Sequence, residues 1–290
     1  MGISFKEVDH SFRGLKKKEI YHALLDISLD INEKNEFIAV VGKTGSGKST
    51  LLKHMNGLYL PTKGNVCIFD SILTPKPRKN PKLKQVRKRV GYVFQFPEYQ
   101  LFEETVLKDI MFAPINFGFS REEAKKKAIE VAKLLKIENL LNKSPFNLSG
   151  GQMRKVAIAG ILAYDPDILL LDEPTRGLDP LGALEIMEIF NKIHKETGKT
   201  IIMITHDMNL VYEYATRVVV MNNARITYDG DKVKLFSSNI YKENNLAKPE
   251  VLELIDYLNK KLNLNIDYNN FTLDDLLLKL RDIKVGDNNE

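Results

Sequence analysis

The segment Gly42–Thr50, GKTGSGKST, sets three glycines among polar residues and ends on a lysine followed by two hydroxyls. Glycine lets backbone N–H groups wrap closely around a phosphate, and a helix that begins there adds the positive end of its dipole. Gly42, Lys43, Thr44, Gly45, Ser46 and Gly47 are therefore candidate phosphate-binding residues. Lys48 is placed to neutralise β- and γ-phosphates, Ser49 to ligate Mg²⁺, and Thr50 completes the motif. An apolar run, Phe37–Val41, precedes the loop, and a helix-compatible stretch, Lys48–Asn56, follows it to Gly57. That is the context such a loop requires, and it predicts binding of a nucleoside triphosphate.

A second constellation is Ile168–Asp172 followed by Glu173. An apolar strand that ends in a carboxylate places Asp172 at the edge of a sheet beside the phosphates, where it can hold Mg²⁺. Glu173, one residue beyond, is then positioned to polarise an attacking water as general base. Between the two lies Leu148, Ser149, Gly150, Gly151 and Gln152 ahead of a helix-compatible run. A serine before two glycines at a helix start offers a hydroxyl, backbone N–H groups and a dipole, which together make another anion site. One chain with a complete phosphate cradle has no need of a second, so this one is expected to serve a nucleotide held by another chain.

The elements that must carry these residues read as α/β. Short apolar runs at Phe37–Val41, Asn65–Asp70, Gly91–Gln95, Ile168–Leu171 and Thr200–Ile204 alternate with helical segments, the pattern of a largely parallel sheet. Ile168–Leu171, apolar throughout, is expected in the interior of that sheet. Ser120 with Glu123 predicts a capping box, and Ala124, Ala128, Val131 and Leu135 follow on one face. Asp179 with Pro180 predicts another helix start, with Leu184, Met187 and Ile193 on its apolar face. After about Gly230 the chain turns rich in Asn and Lys, and two helices are expected at Pro249–Leu262 and Thr272–Arg281, each with a leucine stripe to bury.

Composition bounds the class. The 290 residues are 43% hydrophobic and 28% charged, with 17 Gly and 11 Pro, which excludes disordered and collagen-like chains. Cys67 is the single cysteine, so no internal disulfide forms and a reducing cytoplasm is expected. MGISFKEVDHSF carries charges where a signal peptide would be apolar, and no apolar run approaches the length of a membrane span. The net charge of +5 is local: Lys76 to Arg89 holds eight bases and no acid, and without them the total would be −3. Such a patch binds nucleic acid or an anionic surface in some proteins and is a solvated loop and helix face in most.

The P-loop, then LSGGQ, then ILLLDEP, with Gln95 before and His206 after, resembles the nucleotide-binding subunit of an ATP-binding-cassette (ABC) transporter over roughly residues 3 to 230. The resemblance implies a P-loop NTPase of ABC type: a mainly parallel sheet core, an antiparallel β subdomain, a helical subdomain at about 96–165 and a cassette spanning 1–231. Residues 232–290 would form a small C-terminal helical domain, either a dimerisation patch or a regulatory unit. It implies that Gln95 touches Mg²⁺ or water and reports to a membrane partner, and that Asp179 lies at a dimer interface. His206 would contact the γ-phosphate, and Ser49, Gln95 and Asp172 would hold Mg²⁺. Phe12 stands near the place of an adenine-stacking aromatic, with Tyr21 its rival across LKKKEIYH.

VGYVFQFPEYQLFEETV, DEPTRGLDP and the short C-terminal region are similar to the ATPases of energy-coupling-factor (ECF) transporters, in particular the EcfA-prime type of a two-ATPase pair. The expectations are ATP hydrolysis with Mg²⁺, a second ATPase subunit as hetero- or homodimer partner, and a peripheral place on the cytoplasmic face of the membrane. A transmembrane coupling protein and a substrate-binding membrane subunit would complete a vitamin or metal-ion importer, and FPEYQLF, Phe96–Phe102, would form the groove that receives the partner's coupling helix. The alternatives are the ATPase of another importer class and a nucleic-acid-associated ABC ATPase. The latter class typically inserts a long coiled coil between its motifs, whereas Ser49 and Leu148 are 99 positions apart here with no sustained heptads. No nucleic acid partner is expected.

Overall fold

The structure, a computed structural model, describes residues 2–14, 20–76, 83–262, 264–268 and 273–286. In chain order the first elements are β1 (Ile3–Arg13), β2 (Ile20–Ile31), β3 (Phe37–Val41), α1 (Lys48–Met55), β4 (Lys63–Ile68) and β5 (Ser71–Leu73). α2 (Leu83–Arg89), β6 (Val90–Val93), α3 (Val106–Asn116), α4 (Arg121–Leu134), α5 (Gly150–Leu162), β7 (Ile168–Asp172) and α6 (Pro180–Thr197) follow. Then come β8 (Thr200–Ile204), α7 (Met208–Tyr214), β9 (Arg217–Asn222), β10 (Arg225–Gly230), α8 (Lys232–Ser237), α9 (Ile240–Glu243), α10 (Glu250–Leu262) and α11 (Leu273–Gly286).

Two sheets divide the strands. One is antiparallel and four-stranded, in the order β2-β1-β4-β5. The other has six strands in the order β10-β9-β3-β8-β7-β6, all parallel except for β10 on β9. β3, β7 and β8 bury every residue, which is why they read as unbroken apolar runs rather than alternations. β7 lies one place in from the β6 edge of its sheet. The β6 strand ends at Val93, so Phe94 and Gln95 leave the sheet instead of extending it, and β4 starts two residues earlier than the sequence pattern suggested.

Three apolar clusters hold these layers. The first joins the inner face of the four-stranded sheet to α1 and one face of the larger sheet, through Phe5, Leu51, Met55, Val66 and Ile202 among others. The second fills the opposite face with α3, α4, α5 and α6, around Phe37, Ile110, Val156, Leu169 and Phe190. The third lies over Ala39, Val41, Val218 and Val220 and is closed by Leu235, Phe236, Leu252, Ile255 and Leu276 of the C-terminal helices. The side-chain amide oxygen of Asn209, in the first turn of α7, accepts the Glu250 N–H at 2.8 Å and so caps α10.

The helix punctuation is mostly as the residue types suggest. α4 has its capping box on Ser120 and Glu123, and α6 is capped by Asp179, whose carboxylate accepts the Gly182 N–H at 2.7 Å. Gly57 and Gly198, both at positive φ, follow the ends of α1 and α6. One expectation fails on α6: Met187 and Ile193 are buried, but Leu184 is 49% exposed. The buried stripe runs through Ile186, Met187, Phe190 and Ile193, which join the second apolar cluster, whereas Leu184 does not. Of the basic segment, Lys76 and the residues of α2 are described, while Arg78, Lys79 and Lys82 lie outside the described residues, as does Thr272 at the expected start of α11.

His54 of α1 and His10 of β1 form a buried pair of imidazoles. His54 Nδ1 is 2.7 Å from the Thr50 carbonyl and His10 Nδ1 3.0 Å from that of Leu60, with ring centroids 4.7 Å apart. A carbonyl only accepts, so both rings are Nδ1–H tautomers. Their Nε2 atoms are buried without a partner in the described structure, and burial holds His54 neutral, its pKa pushed down to about 4. The unfolded chain protonates such a ring at about 6.5, so the unfolded state binds the extra proton as pH falls from there toward 4. Stability from His54 is therefore full above pH 6.5 and lost on acidification. Between pH 7 and 4.5 the wild type should lose about 2 kcal/mol more in urea unfolding than His54→Gln.

Candidate functional site

The carboxyl ends of β3, β8, β7 and β6 open on one edge of the sheet, and the loops that leave them bring the sequence motifs together. Gly42 follows β3 with φ +137°, and Gly47 caps α1 with φ +104°. A Cβ on Gly42 would lie 2.0 Å from the Met221 carbonyl oxygen, and one on Gly47 2.2 Å from that of Ala23. Neighbouring backbone thus presses on both sides of the loop, and only glycine fits there. Ser46 Oγ is buried in this loop with no partner in the described structure.

Lys48 is buried, and its Nζ donates to the Gly42 and Lys43 carbonyls at 2.7 and 2.9 Å. Burial pulls its pKa down, against the pull of Glu173 and Asp172 in the other direction. Ser49 Oγ donates to Asp172 Oδ1 at 3.3 Å, and Tyr92 on β6 donates its hydroxyl to Asp172 Oδ2 at 2.8 Å. Desolvation raises the Asp172 pKa while these two hydrogen bonds lower it, and the same burial and the neighbouring carboxylate raise that of Tyr92.

Glu173 stands next, with its backbone in the left-handed region at φ +52° and its N–H bonded to the Ile204 carbonyl at 3.0 Å. That conformation is costly for a residue with a side chain. Three groups converge on Glu173 Oε2: Gln95 Nε2 at 3.0 Å, Arg176 at 2.8 Å and His206 Nε2 at 3.3 Å. Gln95, Glu173 and His206, far apart in sequence, are thereby one cluster beside the Ser49–Asp172 pair.

The donor set fits a hard cation. A hydroxyl and a carboxylate in contact, with a side-chain amide one residue's reach away, are all-oxygen ligands of the kind Mg²⁺ takes alongside phosphate and water. Gly42, Lys43 and Thr44 also line a cavity of about 280 Å³ with His206 and the C-terminal segment Asn245–Ala247.

Other predicted residues lie apart from this cluster. Ser149 caps α5, with Gln152 completing a capping box that engages the N–H groups of both, while Gly150 and Gly151 sit exposed in the first turn. Phe12 and Tyr21 are cross-strand partners at one end of the β1–β2 hairpin, so they share a face, and Phe12 packs edge-on to Tyr59 at 5.6 Å. Phe96, Tyr99, Phe102 and Phe112 form an exposed aromatic rim beyond Gln95. Sequence reasoning missed Tyr92, which rests on nothing but its position on a strand beside β7, and Arg176, which required knowing that the turn after Glu173 folds back.

A family model described as ABC transporter matches residues 24–176. The energy-coupling factor transporter ATP-binding protein EcfA2 of Ligilactobacillus salivarius is 49% identical over 268 residues, 91% of each chain. The EcfA2 of Bacillus subtilis is 46% identical, over 91% of this chain and 96% of its own. Among solved structures, cbiO1 from Clostridium perfringens, described as part of the ABC transporter complex cbiONQ, aligns with TM-score 0.71 and 33% identity over 88% of this chain and 98% of its own. The cassette MJ0796, as a post-hydrolysis dimer bound to ADP and Pi, aligns with TM-score 0.69 and 33% identity over 79% of this chain and 98% of its own. This chain belongs to the ABC transporter family and, within it, to the energy-coupling factor transporter ATP-binding proteins.

Removing the Tyr92 hydroxyl leaves a buried carboxylate with one donor fewer. Tyr92→Phe should cost about 1.5–3 kcal/mol in chemical denaturation, the range for a hydrogen bond to a charged group.

Proposed function

We propose that this ABC ATPase is the ATP-binding and ATP-hydrolysing subunit of an ECF-type importer, working on the cytoplasmic face of a membrane whose other subunits carry the substrate, a vitamin or a transition-metal ion. The observation that carries the reading is the meeting of Gln95, Glu173 and His206 on one carboxylate oxygen, directly beside the Ser49–Asp172 pair. Among the described residues no helix is long and apolar enough to cross a membrane. The exposed rim of Phe96, Tyr99, Phe102 and Phe112 supports docking of a membrane partner there.

In this reading the backbone N–H groups of Gly42–Thr50 cradle the phosphates and Lys48 exchanges its two loop carbonyls for phosphate oxygens. Ser49, Asp172 and Gln95 would hold Mg²⁺, which when bound would supply positive charge to offset that of the phosphate oxygens. Phe12, with Tyr21 opposite it, offers the ring on which adenine stacks. Ser149, Gly150 and Gly151, flanked by Leu148 and Gln152, close over the γ-phosphate held by a second ATPase subunit, and Asp179 lies at that interface. Glu173 accepts a proton from water as the water attacks the γ-phosphorus, and the bond to the bridging oxygen breaks to leave ADP and phosphate. His206 contacts the γ-phosphate and keeps Glu173 aimed.

Residues 1–231 act as the cassette in this reading, and 232–290 as a C-terminal helical unit that supports the pairing of ATPases. Its α10 and α11 present Leu254, Tyr257, Leu262, Leu277 and Leu278 to solvent, an apolar face suited to a partner.

Glu173→Gln should bind ATP with wild-type affinity and turn over at least 100-fold more slowly, as read by single-turnover hydrolysis; near-wild-type turnover would refute the role of Glu173. Lys48→Ala should weaken ATP binding at least tenfold in calorimetry, and unchanged affinity would remove the phosphate-binding assignment.

A further inference from the structure

Arg154 is a charged residue with almost no contact with water: 3% of its side chain is exposed, and its partner Glu98 is 13% exposed. It sits in the second turn of α5, the helix that LSGGQ opens. Its guanidinium forks onto both Glu98 oxygens, Nε to Oε2 at 3.1 Å and one terminal nitrogen to Oε1 at 3.0 Å. The other terminal nitrogen donates to the Arg176 carbonyl at 2.7 Å and the Pro174 carbonyl at 3.4 Å. One planar group therefore touches the turn after Gln95, the helix after LSGGQ and the backbone just past Glu173.

These contacts close a ring. Glu98 lies in the short 3-10 turn Pro97–Gln100, three residues after Gln95, and Gln95 donates to Glu173 Oε2. On the other side, Arg154 holds the Arg176 carbonyl, and the Arg176 side chain donates to the same Glu173 Oε2. Two of the three groups that reach the Glu173 carboxylate, Gln95 and Arg176, are thus tied at their far ends to Arg154, and His206 is the third.

A buried ion pair is a weak source of stability, because an apolar pair of the same volume often does as well. What the pair supplies is direction: only a guanidinium offers parallel N–H groups to a carboxylate and further N–H groups to carbonyls in one plane. Resting on the reading of Glu173 as general base, we infer that Arg154 is a positioning residue: with Glu98 it is the joint that sets the Glu173 carboxylate from the partner-facing turn on one side and the LSGGQ helix on the other. A displacement of Phe96–Phe102 by a docked partner reaches Glu173 through this joint, so Arg154 tunes turnover without touching nucleotide.

The test uses the full chain in the complex that co-purifies with it in mild detergent. Arg154→Lys keeps the charge and loses the fork, and the double variant Glu98→Gln with Arg154→Met removes the buried pair together. ATP binding is read by calorimetry, folding by thermal melting, and hydrolysis as kcat and KM separately. The joint predicts Kd and KM within twofold of wild type and kcat at least tenfold lower in both variants. If the double variant does not melt cooperatively, Arg154→Lys alone decides. Either of two results overturns the inference: kcat within twofold of wild type in the folded variants, or a loss of ATP affinity that parallels the loss of kcat, which marks general damage. A wild-type complex that neither binds nor hydrolyses ATP would sink the functional reading itself, whereas active wild type with equally active variants would sink only the joint.

Discussion

Everything chemical in this protein hangs on the parallel alignment of four strands. β3 pairs with β8 through Val40↔Ile204, β7 with β8 through Asp172↔Ile204, and β6 with β7 through Val93↔Leu171. The registers bring the phosphate loop, His206, the Asp172–Glu173 pair and Gln95 to one edge. Ligands in open parallel sheets bind at that edge because strand ends and helix starts converge there. Strands buried on both faces carry no in-out alternation to fix their register. Here the packing of three separate apolar clusters, together with polar anchors such as the Glu173 N–H on the Ile204 carbonyl, does that work.

The polar groups at this edge divide the labour. Lys48, Asp172 and Tyr92 are buried deeply enough for their proton affinities to shift, and each is held by short, directed hydrogen bonds. Glu173 is held differently, by side chains from three different loops and by a backbone angle that few residues adopt. A carboxylate fixed from several loops responds to the motion of any one of them, which is the property a coupled ATPase needs and a simple hydrolase does not.

How much of this the sequence disclosed follows from what periodicity and motif can encode. FIAVV, ILLLD and TIIMI are legible as buried strands because burial on both faces leaves an unbroken apolar run. The caps at Ser120 and Asp179 are legible because capping is local, settled within three residues. Leu184 was misplaced because helical spacing reports the direction of a side chain and not whether anything lies opposite it. Gln95 and His206 came only through the family resemblance, since a lone glutamine or histidine after a strand carries no pattern. Tyr92, Arg154 and Arg176 escaped entirely. Their partners are supplied by strand pairing and turn geometry, which no short window contains.

The strand order has a consequence for how the chain is made. β3, which feeds the phosphate loop, leaves the ribosome early, yet its two neighbours are β8 and β9, both beyond residue 199. The cluster over Ala39 and Val41 is completed later still, by Leu252, Ile255 and Leu276. The nascent chain therefore carries an apolar strand with two open edges through most of its synthesis, a species prone to mispairing. The Gly42–Thr50 loop is encoded early and enclosed late. A ribosome that stalls or terminates before the C-terminal helices would release a chain that holds Gly42–Thr50, Asp172, Glu173 and His206 with β3 uncovered at Ala39 and Val41.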